Sequence, residues 1–289
     1  MSGRIGIIGG SGFYNIDGIK GIKKVKVTTP YGKPSDDYVI GSLQGLEVVF
    51  LARHGKGHRI LPSEINYPAN IYGMKKLGVE RIISVSACGS LKKEFKPTDI
   101  VIPDQLVDRT NQARAMTFFG RGVVAHVAFA DPFCAELSKV LYESGIKVGG
   151  SMHMGGTYIN MEGPQFSTKA ESNLYRQWGM GVIGMTNMAE AKLAREAEIC
   201  YAALACITDY DCWYEEETGD TVSIEMIVKN LLKNVATSKA ILKVALPRIA
   251  KTRICPCTGA LKDAIMTRPE SISPAAKKRL KLIIGKYIK

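Results

Sequence analysis

The chain has 289 residues, 46% of them hydrophobic, enough for one large core or two modest ones. No apolar run approaches the roughly 20 residues of a membrane span, and the first strand-like run starts within a few residues of Met1. Neither a span nor a signal peptide is expected, and a cytoplasmic protein is. The net charge of +12 is uneven: residues 229–289 hold 15 Lys and Arg against Asp263 and Glu270, or +13, leaving 24 − 25 = −1 elsewhere. A basic tail can bind nucleic acid. Here the cations alternate with Leu, Ile and Val, and Tyr287 is the single aromatic residue of the tail. A solvated amphipathic helix is therefore expected, and a nucleic-acid partner is not.

In chain order, Ile5, Ile7 and Ile8 form a β-branched apolar run that suits a strand buried on both faces. It ends at Gly9-Gly10-Ser11-Gly12. Glycines allow positive φ and close backbone approach, so this loop can present N–H groups and the Ser11 hydroxyl to an anion. A dinucleotide fingerprint fails, because its third glycine falls on Asn15; no P-loop or nucleophile elbow occurs. Strands are expected at 25–27, 38–40 and 46–51, the last running into Arg53 and His54, then a helix over 63–77 with Pro68 near its start. A buried strand over 81–87 ends beside Cys88-Gly89-Ser90, and 99–107 reads as one further strand.

A helix is expected from Asp131-Pro132 to about 144, then a glycine-broken β segment over 148–162. Thr168 and Glu171 form a capping box for a helix to about 178. A short strand at 181–185 leads through Thr186-Asn187 into a helix that includes Glu190. Residues 199–208 are the longest buried strand, ending at Asp209-Tyr210-Asp211, and 224–249 is a long amphipathic helix. Alternating strands and helices without linkers favour an α/β fold: one domain with a mixed sheet. Seven scattered cysteines do not make a secreted disulfide scaffold, and buried free thiols are expected of them. Cys255-Pro256-Cys257 lacks a second ligand pair at zinc-finger spacing, so no metal is expected.

Strand ends of an α/β sheet meet at one edge, where ligands bind. Ser11, Arg53, His54, Ser86 and Thr186 would together surround an oxyanion, Arg being suited to bidentate contact. Taken singly, each has a local alternative as an ion pair, a loop histidine or a turn cap. Asp209 and Asp211 lie two apart, and in extended geometry both face one side. Two carboxyls in a buried site push one pKa up, so one stays protonated and can donate to a heterocycle nitrogen.

The motifs I-G-I-I-G-G-S-G, L-A-R-H-G (51–55), S-A-C-G-S (86–90), E-G-P-Q-F-S (162–167), G-M-T-N (184–187) and T-D-Y-D-C-W (208–213) stand in one order. Over about residues 4 to 250 the chain resembles the trimeric purine nucleoside phosphorylase family, and within it the branch acting on 5′-methylthioadenosine. The resemblance implies a distorted, barrel-like mixed sheet surrounded by helices in a domain spanning 1–250. It matches poorly beyond, where 251–289 is expected as a basic helical extension packed on the same domain. It implies phosphorolysis of 5′-methylthioadenosine to adenine and 5-methylthioribose 1-phosphate, with phosphate as co-substrate and no cofactor. The alternative is action on inosine, guanosine, adenosine or methylthioinosine.

By the same resemblance Ser11, Arg53, His54, Ser86 and Thr186 hold phosphate. Ala87 and Phe166 line the base and sugar pocket, and Met185 lies against the ribose. Asp209 is the catalytic group facing purine N7, and Asp211 holds the 6-amino group. Ser167 stands where 6-oxopurine members carry Glu, and Asp209 where they carry Asn; Ile224, with Val222, marks an apolar 5′ pocket where those members place a histidine. His126 reaches the neighbouring subunit's site in a homo-oligomer, a trimer or a dimer of trimers. The Cys255–Cys257 element resembles a disulfide motif of hyperthermophilic archaeal members, implying intrachain disulfides with Cys134, Cys200 and Cys206. Ala189 replaces the family's usual proline.

Overall fold

Twelve residues long, β5 (Val79–Ser90) is the strand on which the whole sheet turns. It runs parallel to β1 (Arg4–Gly9) on one side and to β11 (Cys200–Asp209) on the other. β4 (Leu46–Ala52) continues the parallel set beyond β1. β1 and β11 are almost wholly buried, as expected of apolar runs sandwiched between helical layers. The computed structural model describes residues 3–13, 17–111, 113–214 and 224–288. Val222, the acidic loop from 215 and the Ile224 side chain lie outside these.

At Gly89 the sheet forks. One arm continues from β5 through β10 (Val182–Gly184) and β9 (Thr157–Met161) to β7 (Gln105–Arg109). The other runs from β11 through β6 (Ile100–Ile102) to β8 (Met152–Met154). Only Pro103-Asp104 separates β6 from β7, and Gly155-Gly156 separates β8 from β9. The arms therefore fold over each other around a small core containing Phe95, Val101, Tyr158, Val182 and Ile207. This is the barrel-like part of a mixed sheet of eleven strands among the described residues. On the opposite edge, β3 (Tyr38–Leu43) and β2 (Lys20–Val25) pair antiparallel beyond β4.

Helices cover both faces. α1 (Tyr67–Lys76) and α4 (Asn187–Glu196) share one apolar cluster, with Ile71, Met74, Leu193 and Ala194. α2 (Ala135–Lys147) and α5 (Ile224–Ala245) share the other, with Leu137, Leu141, Ile241 and Leu242. α3 (Lys169–Gln177) opens on the expected capping box: Glu171 N–H donates to Thr168 Oγ1, and Thr168 N–H to the Glu171 carboxylate. After α5 the chain returns to the first cluster through Leu261 and Ile272. α6 (Pro274–Ile284) adds Leu280 and Ile283 there, with its lysines on the other side.

The departures from expectation have local causes. The expected strand over 99–107 is two, because Pro103 has no N–H for a ladder. α1 begins four residues late, where Asn66 accepts from Ala69 N–H at 3.1 Å and Pro68 takes the first turn. The strand expected at 25–27 lies earlier. As an exposed edge strand rich in lysine it has no buried face to fix its register from sequence. α5 stops at Ala245 as Pro247 opens a 3₁₀ turn.

Candidate active site

The carboxyl ends of β1, β4, β5, β10 and β11 meet at one edge of the sheet and enclose a cavity of about 390 Å³. Ser11, Arg53, His54, Ser86 and Thr186 all border it. So do Ala87, Phe166, Met185, Asp209 and Asp211. A ten-residue expectation spread over six segments is thus brought to one place. Ser167 and His126 are not on its wall, and the Ile224 side chain lies outside the described residues.

The anion end is built by a close fit. Gly10 N–H donates to Val85 O and Arg53 N–H to Gly9 O, both at 2.9 Å, pinning the glycine loop between β4 and β5. A Cβ on Gly10 would lie 2.6 Å from Arg53 Nη1 and 2.8 Å from Val85 O, so only glycine fits there. Gly12 has φ of +73° and turns the loop under Leu231 and Val235 of α5.

Arg53 is not a surface ion pair. It is 1% exposed and its Nε is paired with the Glu190 carboxylate; Nη2 donates to Glu190 Oε2 at 3.2 Å and to Ser84 Oγ at 2.5 Å, and Nη1 to Val85 O at 3.3 Å. Tyr201 Oη and Ser84 Oγ also donate to Glu190 Oε2, at 2.8 and 2.9 Å. Burial works against the guanidinium charge, and Glu190 more than restores it. Glu190 escaped the sequence reading as a partner. An acidic residue amid Met188, Ala189, Ala191 and Leu193 was its one signal.

His54 Nδ1 donates to Ile60 O at 2.8 Å, which leaves Nε2 as the acceptor of the neutral ring. Burial, then the Arg53 charge, push its pKa down to about 4. Its ring stacks on His58, another cavity residue not anticipated from sequence. Ser86 Oγ donates to Asn187 Oδ1 at 2.7 Å. Thr186 is the N-cap of α4; its hydroxyl makes no cap hydrogen bond and donates over a long 3.4 Å to Asn187 Oδ1, while the Met188 N–H of the first turn donates to Asn160 Oδ1 at 3.0 Å.

At the other end, Asp209 Oδ2 accepts from Thr208 Oγ1 at 2.7 Å and Oδ1 from Asp211 N–H at 2.8 Å. The two aspartates share the cavity, but not through extended geometry. Asp211 has φ of +54°, and the turn that sets it also bonds it to Asp209. Burial raises both pKa values. Asp211 Oδ2 is buried without a hydrogen-bond partner among the described residues, so it has capacity for a ligand. The Ser167 hydroxyl lies 3.7 Å from Met161 Sδ, and its carbonyl accepts from Cys212 Sγ at 3.4 Å.

Arg114, also unforeseen, braces the wall: its guanidinium donates to Met185 O and Glu162 O and pairs with the Glu162 carboxylate at 3.0 Å. Phe166 is 76% exposed at the cavity mouth. Leu61, Pro62, Ile227 and Leu231 give the cavity an apolar stretch; Val222 and the Ile224 side chain, expected in that role, lie outside the described residues. His126 is exposed outside the cavity on the segment after Val123.

The Phosphorylase superfamily matches residues 4–247. The chain belongs to the phosphorylase superfamily. Among similar members, an S-methyl-5′-thioadenosine phosphorylase of Geobacter sulfurreducens is 58% identical over 284 residues, covering 98% of this chain and 99% of the relative. One of Koribacter versatilis is 57% identical over 287 residues, covering 99% and 97%. A solved methylthioadenosine phosphorylase sourced from an antarctic soil metagenomic library superposes with a TM-score of 0.91 at 49% identity, covering 98% and 99%. A mutant adenosine/methylthioadenosine phosphorylase of Schistosoma mansoni, in complex with methylthioadenosine, gives 0.81 at 34% identity, covering 90% and 96%. In this superfamily member, no helix among the described residues is long and apolar enough to cross a membrane.

The cysteines depart from what the resemblance implies. All seven are free thiols, so the implied disulfides are not formed. Cys206 stands apart, its Sγ 3.3 Å from Ser238 Oγ on α5. Cys134, Cys200, Cys255 and Cys257 instead converge on one point. The expectation of no metal-ligating set rested on local spacing, which cannot see a cluster assembled from three distant segments.

Proposed function

We propose that the chain catalyses phosphorolysis of 5′-methylthioadenosine, giving adenine and 5-methylthioribose 1-phosphate. The observation that carries this reading is one cavity joining an anion-suited end to a pair of buried carboxyls with raised pKa. Relatives with that activity in their names, near 58% identical over the full length, support it.

Phosphate sits among Ser11, Ser86 and Thr186, against Arg53. Neutral His54 accepts from a protonated phosphate oxygen. A phosphate oxygen attacks C1′ as the bond from C1′ to N9 opens into an oxocarbenium-like state, which the anion stabilises. Asp209, whose pKa burial raises, stabilises the departing purine by proton donation or hydrogen bonding at N7. Asp211 accepts from the 6-amino group. Ala87 and Phe166 border the base and sugar, and Met185 the ribose. The apolar stretch suits a methylthio group better than a 5′-hydroxyl, which would lose its hydrogen bonds there. Phosphate is the co-substrate; no organic cofactor and no metal at the reacting centre is needed.

His126 belongs to the neighbouring subunit's site in a homotrimer or dimer of trimers. Ala125, Val127 and Phe129 alternate half-buried with exposed His126 and Ala128, so His126 is presented outward from its own subunit. One experiment tests the reading. Phosphate-dependent cleavage of methylthioadenosine, adenosine and inosine is compared side by side. Methylthioadenosine with the highest kcat/KM is expected; preference for inosine overturns it.

A further inference from the structure

We propose that Cys134, Cys200, Cys255 and Cys257 bind one zinc ion as a closed structural centre, remote from the reaction. Cys134 caps the N-terminus of α2, Cys200 opens β11, and the Cys255-Pro256-Cys257 turn brings the other two sulfurs. The four Sγ atoms all lie within 4.8 Å of one another, and Cys200 and Cys255 are 3.3 Å apart. A tetrahedral ion with zinc–sulfur bonds of about 2.3 Å needs sulfurs about 3.8 Å apart. The spacing therefore fits with side-chain shifts under about one ångström. Two separate disulfides would need pairs at about 2.05 Å, whereas here all four sulfurs share one neighbourhood.

Four sulfur donors with no oxygen exclude magnesium and calcium and select a thiophilic ion. All four residues are buried in the cluster between the sheet and α2–α5. Such a site is closed to a water ligand, the mark of structural rather than catalytic zinc. Arg81 is the register partner of Cys200 on β5, and it and Arg253 face the Glu80 carboxylate at 3.8 and 3.6 Å. Binding releases the thiol protons to solvent and oxidises nothing. The centre ties the segment after α5 to β11 and α2.

The test is metal analysis of the full chain purified without chelator, with thiol titration in denaturant without reductant. One zinc per chain, released by a mercurial reagent, is expected, with all seven thiols then titrating. Cobalt exchanged into the wild-type protein should show thiolate-to-cobalt charge transfer and tetrahedral ligand-field bands. Cys257→Ser should lose the zinc and lower Tm by more than about 10 °C, while Cys206→Ser keeps the metal. Fewer than seven thiols, iron in place of zinc, or seven thiols that take up neither zinc nor cobalt would each overturn the assignment. The cobalt spectrum decides even where Cys257→Ser fails to fold.

Discussion

The aspartate pair shows how a residue's role follows from its surroundings. Asp209 has both oxygens occupied by its own turn, whereas Asp211 keeps one buried oxygen unpartnered. Asp209→Asn removes the proton donor, and methylthioadenosine kcat/KM should fall by at least about 10³, with inosine much less affected, because a mismatched buried hydrogen bond discriminates steeply. Adding Ser167→Glu should move preference towards 6-oxopurines. Equal losses on both substrates would remove base recognition from this pair. His54 gives a pH signature. Its pKa drops from 6.5 unfolded to about 4 folded, so folding favours the neutral ring. The stability tied to it is complete above pH 6.5 and lost as pH falls towards 4, by up to about 3 kcal/mol at about 1.4 kcal/mol per pH unit. Wild type minus His54→Gln, measured by urea unfolding between pH 4 and 8, should show that slope. A flat difference would mean that His54 titrates normally. These polar residues were legible in sequence because each ends an apolar strand. Glu190 and Arg114 were not, since their partners lie far along the chain.

Among the elements, the link between β4 and α4 decides how the anion end is held. Arg53 and Glu190 join them as a buried pair completed by Ser84 and Tyr201. Arg53→Met strands the Glu190 carboxylate and should cost about 3–5 kcal/mol of unfolding free energy, the usual penalty of breaking a buried pair. Arg53→Met with Glu190→Gln should recover most of that stability while leaving the KM for phosphate high. Denaturant unfolding checks the first statement, and phosphate titration of the rate checks the second. A normal phosphate KM in the double variant would take Arg53 out of the anion site. Strongly patterned elements such as β5, β11 and the capped α3 could be read from the chain. Their pairing could not: β5 is read as a strand from its own residues, but its fork at Gly89 depends on β10 and β11 arriving from opposite sides.

For the whole molecule, assembly and charge matter. If His126 completes a neighbour's site through a heterologous contact, the assembly must close on itself. Sedimentation should give at least three times the 31.5 kDa chain. His126→Ala should raise the KM for the nucleoside and leave the phosphate KM within about twofold. An active monomer would end that reading. The sequence exposes the charge imbalance of the tail and the resemblance implies an extension packed on the same domain, but neither tells that Leu261, Leu280 and Ile283 join it to the cluster of α1 and α4. The Arg53–Glu190 pair has a consequence on this scale. Glu190 cancels the guanidinium before phosphate arrives, so the anion is met chiefly by hydrogen-bond dipoles in a pocket without net positive charge. The +12 surface still draws anions inward, over distances that salt screens beyond about 8 Å at physiological ionic strength. Raising the ionic strength should therefore slow phosphate capture and leave its rate of escape unchanged, so that screening governs arrival but not residence.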